Sequence, residues 1–258
     1  MAAPSRRTLM LLAGLGLLLL GWLIYNATRP QEVLYPAGEL RIAVDASYPP
    51  FAVATETDLF GIDIDIGRAL GERLGVPVRF INMGFDGLYD SLRAEQADVV
   101  ISALIPNEAR RSDTFYSRPY FDAGLVLVGD ISRMEDAPGH SIAYEFGSVG
   151  DQEVRRWQRL VEQPFEALPY ELPQYALDAA RIGAAEAALV DAVSAGLYLR
   201  QHPDWNVTPV YVTHTPYVVA VRSGRYRLFL AVDGALAELL ADGTIAGIVN
   251  QYLAVPMP

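Results

Sequence analysis

The sequence predicts a three-layer α/β fold built as two successive units. Apolar residues make up 52% of the 258 positions, enough for a sizeable core. Short apolar segments of strand length alternate with longer stretches whose apolar residues recur at helical spacing. This strand–helix alternation implies a mainly parallel sheet covered by helices, and it occurs twice, over about residues 39–121 and 125–214.

In chain order, residues 39–45 alternate and then run apolar, as a strand does, and the Tyr48-Pro-Pro turn ends them. Residues 62–74 read as a helix: Ile62, Ile66, Ala69, Leu70 and Leu74 share a face, and Gly75 with Pro77 stops it. A strand at 78–81, a helix at 85–96 with Leu88 and Leu92 inward, and a strand at 99–104 complete the first unit. The second has strands at 125–128, 141–144, 187–190 and 207–211, with helices at about 151–161, 174–182 and 192–200. A strand at 218–221 and helices at 228–240 and 243–252 follow, and their composition allows them to join either unit.

Residues 1–30 read differently. Residues 9–25 carry no charge and are mostly Leu, and Arg6 and Arg7 precede them. This is the pattern of a signal peptide or a single membrane anchor, oriented so that the remainder is exported. Only Ala27 offers a small residue for cleavage, so an uncleaved anchor is expected, with residues 31–38 as a tether.

Composition removes several chemistries. There is no Cys, which excludes disulfides, thiol catalysis and lipid attachment through Cys. All 20 basic residues are Arg, so Schiff-base chemistry and a phosphate-loop lysine are excluded. His140, His202 and His214 lack metal-ligand spacing, and neither metal nor cofactor is expected. Beyond residue 30, 17 Arg stand against 31 acids, a formal charge of −14, which disfavours nucleic acid as a partner.

Several stretches resemble the extracellular solute-binding proteins of family 3, the polar amino acid receptors of ABC importers. They are LRIAVDASYPPF at 40–51, FGIDID at 60–65, GFDGL at 84–88, ADVVI at 97–101, YSRPYF at 116–121, LVD at 189–191, TPY at 215–217 and ALAELLADGT at 235–244. The resemblance covers about residues 38–253 and rests on the order and spacing of the motifs together. It implies a type II periplasmic-binding-protein-like fold: two α/β lobes joined by a two-strand hinge near 122–124 and 213–217. Lobe 1 would comprise 39–122 plus 217–258, and lobe 2 would comprise 123–216. It implies a small solute, an amino acid or related amine or carboxylate, bound between the lobes and passed to ABC permease subunits.

The resemblance also assigns roles. Arg110 would clamp a ligand carboxylate, a use suited to a guanidinium. Asp191 would accept the α-ammonium, and Ser148 would meet the carboxylate at a helix start. Both also fit plain helix caps. Phe85 and Tyr48 would sandwich the ligand side chain, Asp45 stands where receptors for cationic amino acids carry an acid, and Ser102 is a polar neighbour. The sequence departs from the family pattern at Ala103, Ile105 and Val149, where hydroxyl side chains are usual. That leaves fewer hydroxyl partners for a carboxylate and opens the alternative of a larger or less zwitterionic ligand held by stacking. Two further alternatives stand: a cyclohexadienyl-dehydratase-like enzyme using Glu145 or Glu171, and a ligand-sensing module.

Overall fold

The computed structural model describes residues 15, 18–22, 33–161 and 163–255. The chain divides into two compact units, residues 1–34 and 35–258. In the first unit, residues 15 and 18–22 are helical. No helix among the described residues is long and apolar enough to cross a membrane. The rest of the anchor expected over residues 1–30 lies outside the described residues.

The second unit carries two five-stranded sheets. The first contains β1 (Leu40–Val44), β5 (Val78–Asn82), β6 (Val99–Leu104), β7 (Thr114–Asp122) and β13 (Pro216–Arg222), in the order β5-β1-β6-β13-β7. β1 is parallel to β5 and β6, and β13 is antiparallel to β6 and β7. The second sheet contains β8 (Leu125–Gly129), β9 (Ser141–Glu145), β10 (Glu166–Tyr170), β11 (Ala187–Asp191) and β12 (Val210–Tyr211), in the order β10-β9-β11-β8-β12. A small three-stranded ribbon, β2 (Ser47–Tyr48), β3 (Ala52–Ala54) and β4 (Leu59–Phe60), follows β1.

Helices α1 (Ile62–Leu74) and α2 (Leu88–Arg93) connect the parallel strands of the first sheet. Helices α3 (Val149–Gln158), α4 (Pro173–Arg181) and α5 (Ala192–Gln201) serve the second. α6 (Tyr226–Ala241) and α7 (Thr244–Tyr252) end the chain. α1 buries Ile62, Ile64, Ile66 and Leu70, and Gly75 closes it in the left-handed conformation, donating to Gly71 and Glu72 carbonyls.

The C-terminal segment joins the first sheet through β13. Its helices are tied there by Arg73 to Glu238 and Asp242, by Arg118 to Asp233, and by Tyr252 to Asp65. From α7 onward the chain also reaches the other lobe. Ala254 N donates to Gly196 O at 3.1 Å, and Arg200 Nη1 donates to Asn250 O at 2.9 Å.

Besides the short ribbon strands β2, β3 and β4, two strands of the main sheets escaped the sequence reading, β7 and β10. Each holds a proline, Pro119 and Pro169, and each lies at a sheet edge, where a missing N–H donor is tolerated.

Two connections join the lobes, β7 to β8 and β12 to β13. Asp122 ties them together from a buried position: Oδ1 accepts from Gly124 N at 2.9 Å and Thr215 N at 2.8 Å, and Oδ2 accepts from His214 Nδ1. Ala123 N donates to Thr215 O, and Thr213 Oγ1 accepts from Leu125 N. The two connections touch so closely at Gly124 that an added Cβ would sit 1.9 Å from Thr213 O. Gly124→Ala should therefore destabilise the protein by about 1–3 kcal/mol in urea unfolding. Gly234→Ala on α6, where an added Cβ meets nothing within 4 Å, should instead stabilise it by about 0.5–1 kcal/mol.

Candidate functional site

The strand registers direct both sheets at the hinge. Leu125, at the start of β8, pairs with Asp191 at the end of β11. Pro216, at the start of β13, pairs with Asp122, and Val218 pairs with Leu104 at the end of β6. β1 and β5 run parallel with β6, and β9 and β10 with β11, so the C-terminal ends of all six strands lie on the hinge side. In the first sheet the chain steps from β1 to β5 on one side and to β6 on the other. That makes β1 a topological switch point, the place where α/β sheets accept ligands.

A cavity of about 300 Å³ lies at that point, lined by Asp45, Ser47, Tyr48, Phe85, Ser102, Ala103 and Tyr217. Asp45 follows β1, Phe85 follows β5, and Ser102 and Ala103 lie near the end of β6. The lining comes from the first lobe and from β13. A larger groove of about 430 Å³ between α4 and α5 belongs to the second lobe alone. Its polar groups bond one another, Tyr198 to Asp178 and Arg181 to Tyr198, and it lacks the converging strand ends.

The cavity walls are braced from behind. Asp45 Oδ1 accepts from Ser47 N at 3.1 Å and Ser47 Oγ at 2.6 Å, while Oδ2 accepts from Phe85 N at 3.0 Å. Ser102 Oγ accepts from Asp45 N at 3.0 Å. Tyr48 stacks on Phe51 with ring centroids 5.6 Å apart, and Phe51 meets Tyr217 and Phe121 edge-on at 5.2 Å each.

Ala103 has φ +46°, a left-handed conformation that costs a non-glycine residue energy. Its N–H donates to Asp63 Oδ2 at 2.8 Å and to Tyr120 OH at 3.1 Å, and Tyr120 OH donates to Asp63 Oδ1 at 2.7 Å. Asp63 is buried, and desolvation raises its carboxyl to about 7 despite the two hydrogen bonds.

The candidates of the second lobe stand at the ends of its strands. Asp191 caps α5, accepting from Ser194 N at 2.8 Å and Ser194 Oγ at 2.6 Å. Ser148 caps α3, accepting from Asp151 N at 3.2 Å and donating to Glu145 O at 2.8 Å. Burial, and then the Asp191 charge, raise the Glu145 carboxyl. Neither Asp191 nor Ser148 lines the first-lobe cavity.

Arg110 lies outside the lining too. Its guanidinium sits 4.9 Å from the centroid of the Tyr89 ring and has no carboxylate partner among the described residues. Thus Asp45, Tyr48, Phe85 and Ser102 come together, while Arg110, Asp191 and Ser148 stand apart from them. Ser47, Ala103 and Tyr217 line the cavity without having been singled out as contacts. Tyr217 stands in the TPY segment just after the hinge, a position that could have flagged it. The left-handed backbone of Ala103 leaves no mark in the sequence.

The Asp63 carboxyl binds its proton more tightly in the folded than in the unfolded protein. Its contribution to stability is therefore full below about pH 4 and is lost as pH rises through about 7. Asp63→Asn removes this titration, so the stability difference between variant and wild type should shift in the variant's favour from pH 4 to pH 8. Urea midpoints across that range check this, and a pH-independent difference would contradict it.

The chain resembles known proteins over most of its length. The model of the bacterial extracellular solute-binding proteins, family 3, matches residues 40–255. The L-arginine-binding protein of Pseudomonas aeruginosa is 26% identical, over 96% of this chain and 97% of that protein. The L-cystine-binding protein TcyJ of Escherichia coli is 26% identical, over 83% of this chain and 82% of that protein. Among solved structures, an ancestral cationic amino acid solute-binding protein superposes with a TM-score of 0.60 at 26% identity, covering 84% of this chain and 96% of that one. The unliganded, open L-cystine receptor of Neisseria gonorrhoeae superposes with a TM-score of 0.71 at 24% identity, covering 85% and 94%, and so shares the fold. This chain belongs to the bacterial extracellular solute-binding proteins of family 3.

Proposed function

We propose that this protein captures a small solute, an amino acid or a related amine or carboxylate, between its lobes and delivers it to the permease subunits of an ABC importer. The observation that carries the reading is the cavity at the switch point of the first sheet. It opens on the hinge side, to which the second sheet also turns the strand ends bearing Asp191 and Ser148. A solute held by the first lobe gains contacts from the second only when the lobes close, so binding shifts the open–closed equilibrium. Asp191 receives the ammonium, Arg110 the carboxylate, and Tyr48 and Phe85 the side chain. A micromolar Kd, about −8 kcal/mol, is within reach of such a set.

The protein acts as a receptor and not as an enzyme. Both oxygens of Asp45, the cavity's carboxylate, are engaged by Ser47 and Phe85, which suits a fixed binding wall better than a proton carrier. The uncharged run at 9–25, the preceding Arg6 and Arg7, and the lack of Cys for lipid attachment support an N-terminal anchor that holds the receptor on the extracytoplasmic face of the membrane.

Thermal-shift measurements with each of the twenty common amino acids test the reading. At a hundredfold excess over Kd, a true ligand stabilises by about 2.7 kcal/mol, which raises the Tm of a chain this size by about 5–10 °C. Arg110→Ala should abolish the shift for a ligand bearing a carboxylate, and an unchanged shift would remove Arg110 from the site. No shift with any of the twenty, nor with amines and organic acids screened beside them, would overturn the receptor reading.

A further inference from the structure

A closed circuit of contacts holds Arg110. The stretch that leads to it from β6, Ile105 to Ala109, contains no hydroxyl side chain. It ends in the tight turn Glu108–Arg110, where Asn107 Oδ1 accepts from Ala109 N at 2.9 Å and Asn107 O accepts from Arg110 N at 3.0 Å. Those bonds fix the Arg110 backbone. They leave its long side chain free to sample rotamers, and ordering such a side chain costs entropy.

The Tyr89 ring supplies the missing restraint. Its centroid lies 4.9 Å from the guanidinium carbon, a cation–π contact. Tyr89 OH stands 3.0 Å from Tyr116 OH, and Tyr116 OH donates to Asn107 O at 3.3 Å. Tyr116 has one hydroxyl proton and directs it to Asn107, so Tyr89 is the donor between the two phenols. The circuit runs from the Arg110 guanidinium through Tyr89, Tyr116 and Asn107 back to the Arg110 backbone. It joins α2, β7 and the turn after β6. Both tyrosine rings pack on the buried cluster that includes Leu88, Leu92 and Leu104. Burial, and then the bond to Tyr116, raise the Tyr89 phenol, which stays neutral beside the cation.

A ring beneath a guanidinium holds it without using its N–H donors. Those of Arg110 make no hydrogen bond or ion pair among the described residues. Tyr89 also follows the cavity-lining Phe85 by four residues, about one helical turn, so the platform grows from the same stretch as the cavity wall. We propose that Tyr89 is a positioning residue for solute binding: its ring holds the Arg110 guanidinium in place with the N–H donors open to a carboxylate. This rests on the receptor reading above and on the role given there to Arg110. A guanidinium already held does not have to be ordered when the solute arrives, and the entropy spared enters the affinity.

Calorimetric titration of the full chain with the twenty common amino acids, and with the amines and organic acids screened beside them, tests this. It is repeated on Tyr89→Leu, Tyr89→Phe, Arg110→Lys and the combination of Tyr89→Leu with Arg110→Lys. Tyr89→Leu should weaken the tightest carboxylate-bearing compound about tenfold, equivalent to about 1.4 kcal/mol. Tyr89→Phe keeps a ring under the guanidinium and should weaken it by less than about threefold. A lysine ammonium does not lie flat on a ring as a guanidinium does. Tyr89→Leu should therefore add less than about twofold to the loss caused by Arg110→Lys, whereas a plain packing defect would weaken both backgrounds equally. Equal losses in both backgrounds overturn the proposal and leave the receptor reading intact. So does a Tyr89→Leu protein that binds as the wild type does, or a Tyr89→Phe protein as weak as Tyr89→Leu. Binding confined to compounds without a carboxylate has the same consequence, whereas silence from every compound removes the receptor reading as well.

Discussion

The architecture depends on one buried carboxylate. Asp122 ends β7 and accepts hydrogen bonds from the backbone of both inter-lobe connections, Gly124 on one and Thr215 on the other. Two extended chains side by side can slide, and a register slip would turn every side chain of β8 or β13 to the opposite face. The carboxylate fixes them together. The pairing of Leu125 with Asp191, and of Pro216 with Asp122, follows from that position, and through it the convergence of six strand ends on one cleft. The connections remain short enough to bend as a pair, which suits opening and closing about a common line.

The candidate site is built mostly from groups already satisfied. Asp45, Asp191 and Ser148 each bond their own neighbours, and Ala103 is held in a strained conformation by Asp63 and Tyr120. Side chains held in this way are already ordered, and preorganisation of this sort spares the entropy of fixing them at the moment of capture. Asp63 bears the cost, since it has no cation beside it among the described residues and its charge is penalised by burial. Arg110, resting on the Tyr89 ring, is the exception among the candidates. It keeps its charge unpaired by any carboxylate among the described residues, and so available to an anion.

Much of this was legible in the sequence, and the limits have physical causes. The parallel strands β1, β6, β9 and β11 are buried on both faces and read as short apolar runs, and the helices between them read from their spacing. The edge strands β7 and β10 did not read, because a proline and exposed polar residues at an edge look like loop. The ADVVI motif was visible, but its Asp98 proves to be a structural partner of Arg41 at 2.8 Å, a pairing across 57 residues that no local pattern announces. Asp45, Tyr48, Phe85 and Ser102, each singled out in the sequence, line one cavity. The bracing by Asp63 and Tyr120 comes from packing alone.

The C-terminal tail carries a further consequence. After α7 leaves the first lobe, Ala254 bonds Gly196 on α5, while Leu253 and Val255 crowd the Gly196 backbone so closely that a side chain there would collide with both. The lobes are thus joined a third time, away from the paired strands. A door hung on two adjacent hinges and also strapped at a third place cannot twist freely as it swings. The tail therefore limits relative motion to directions that keep α5 against it, selecting a bending axis near Gly196 and resisting torsion between the lobes. In this receptor Leu253, Ala254 and Val255 act as a guide for closure.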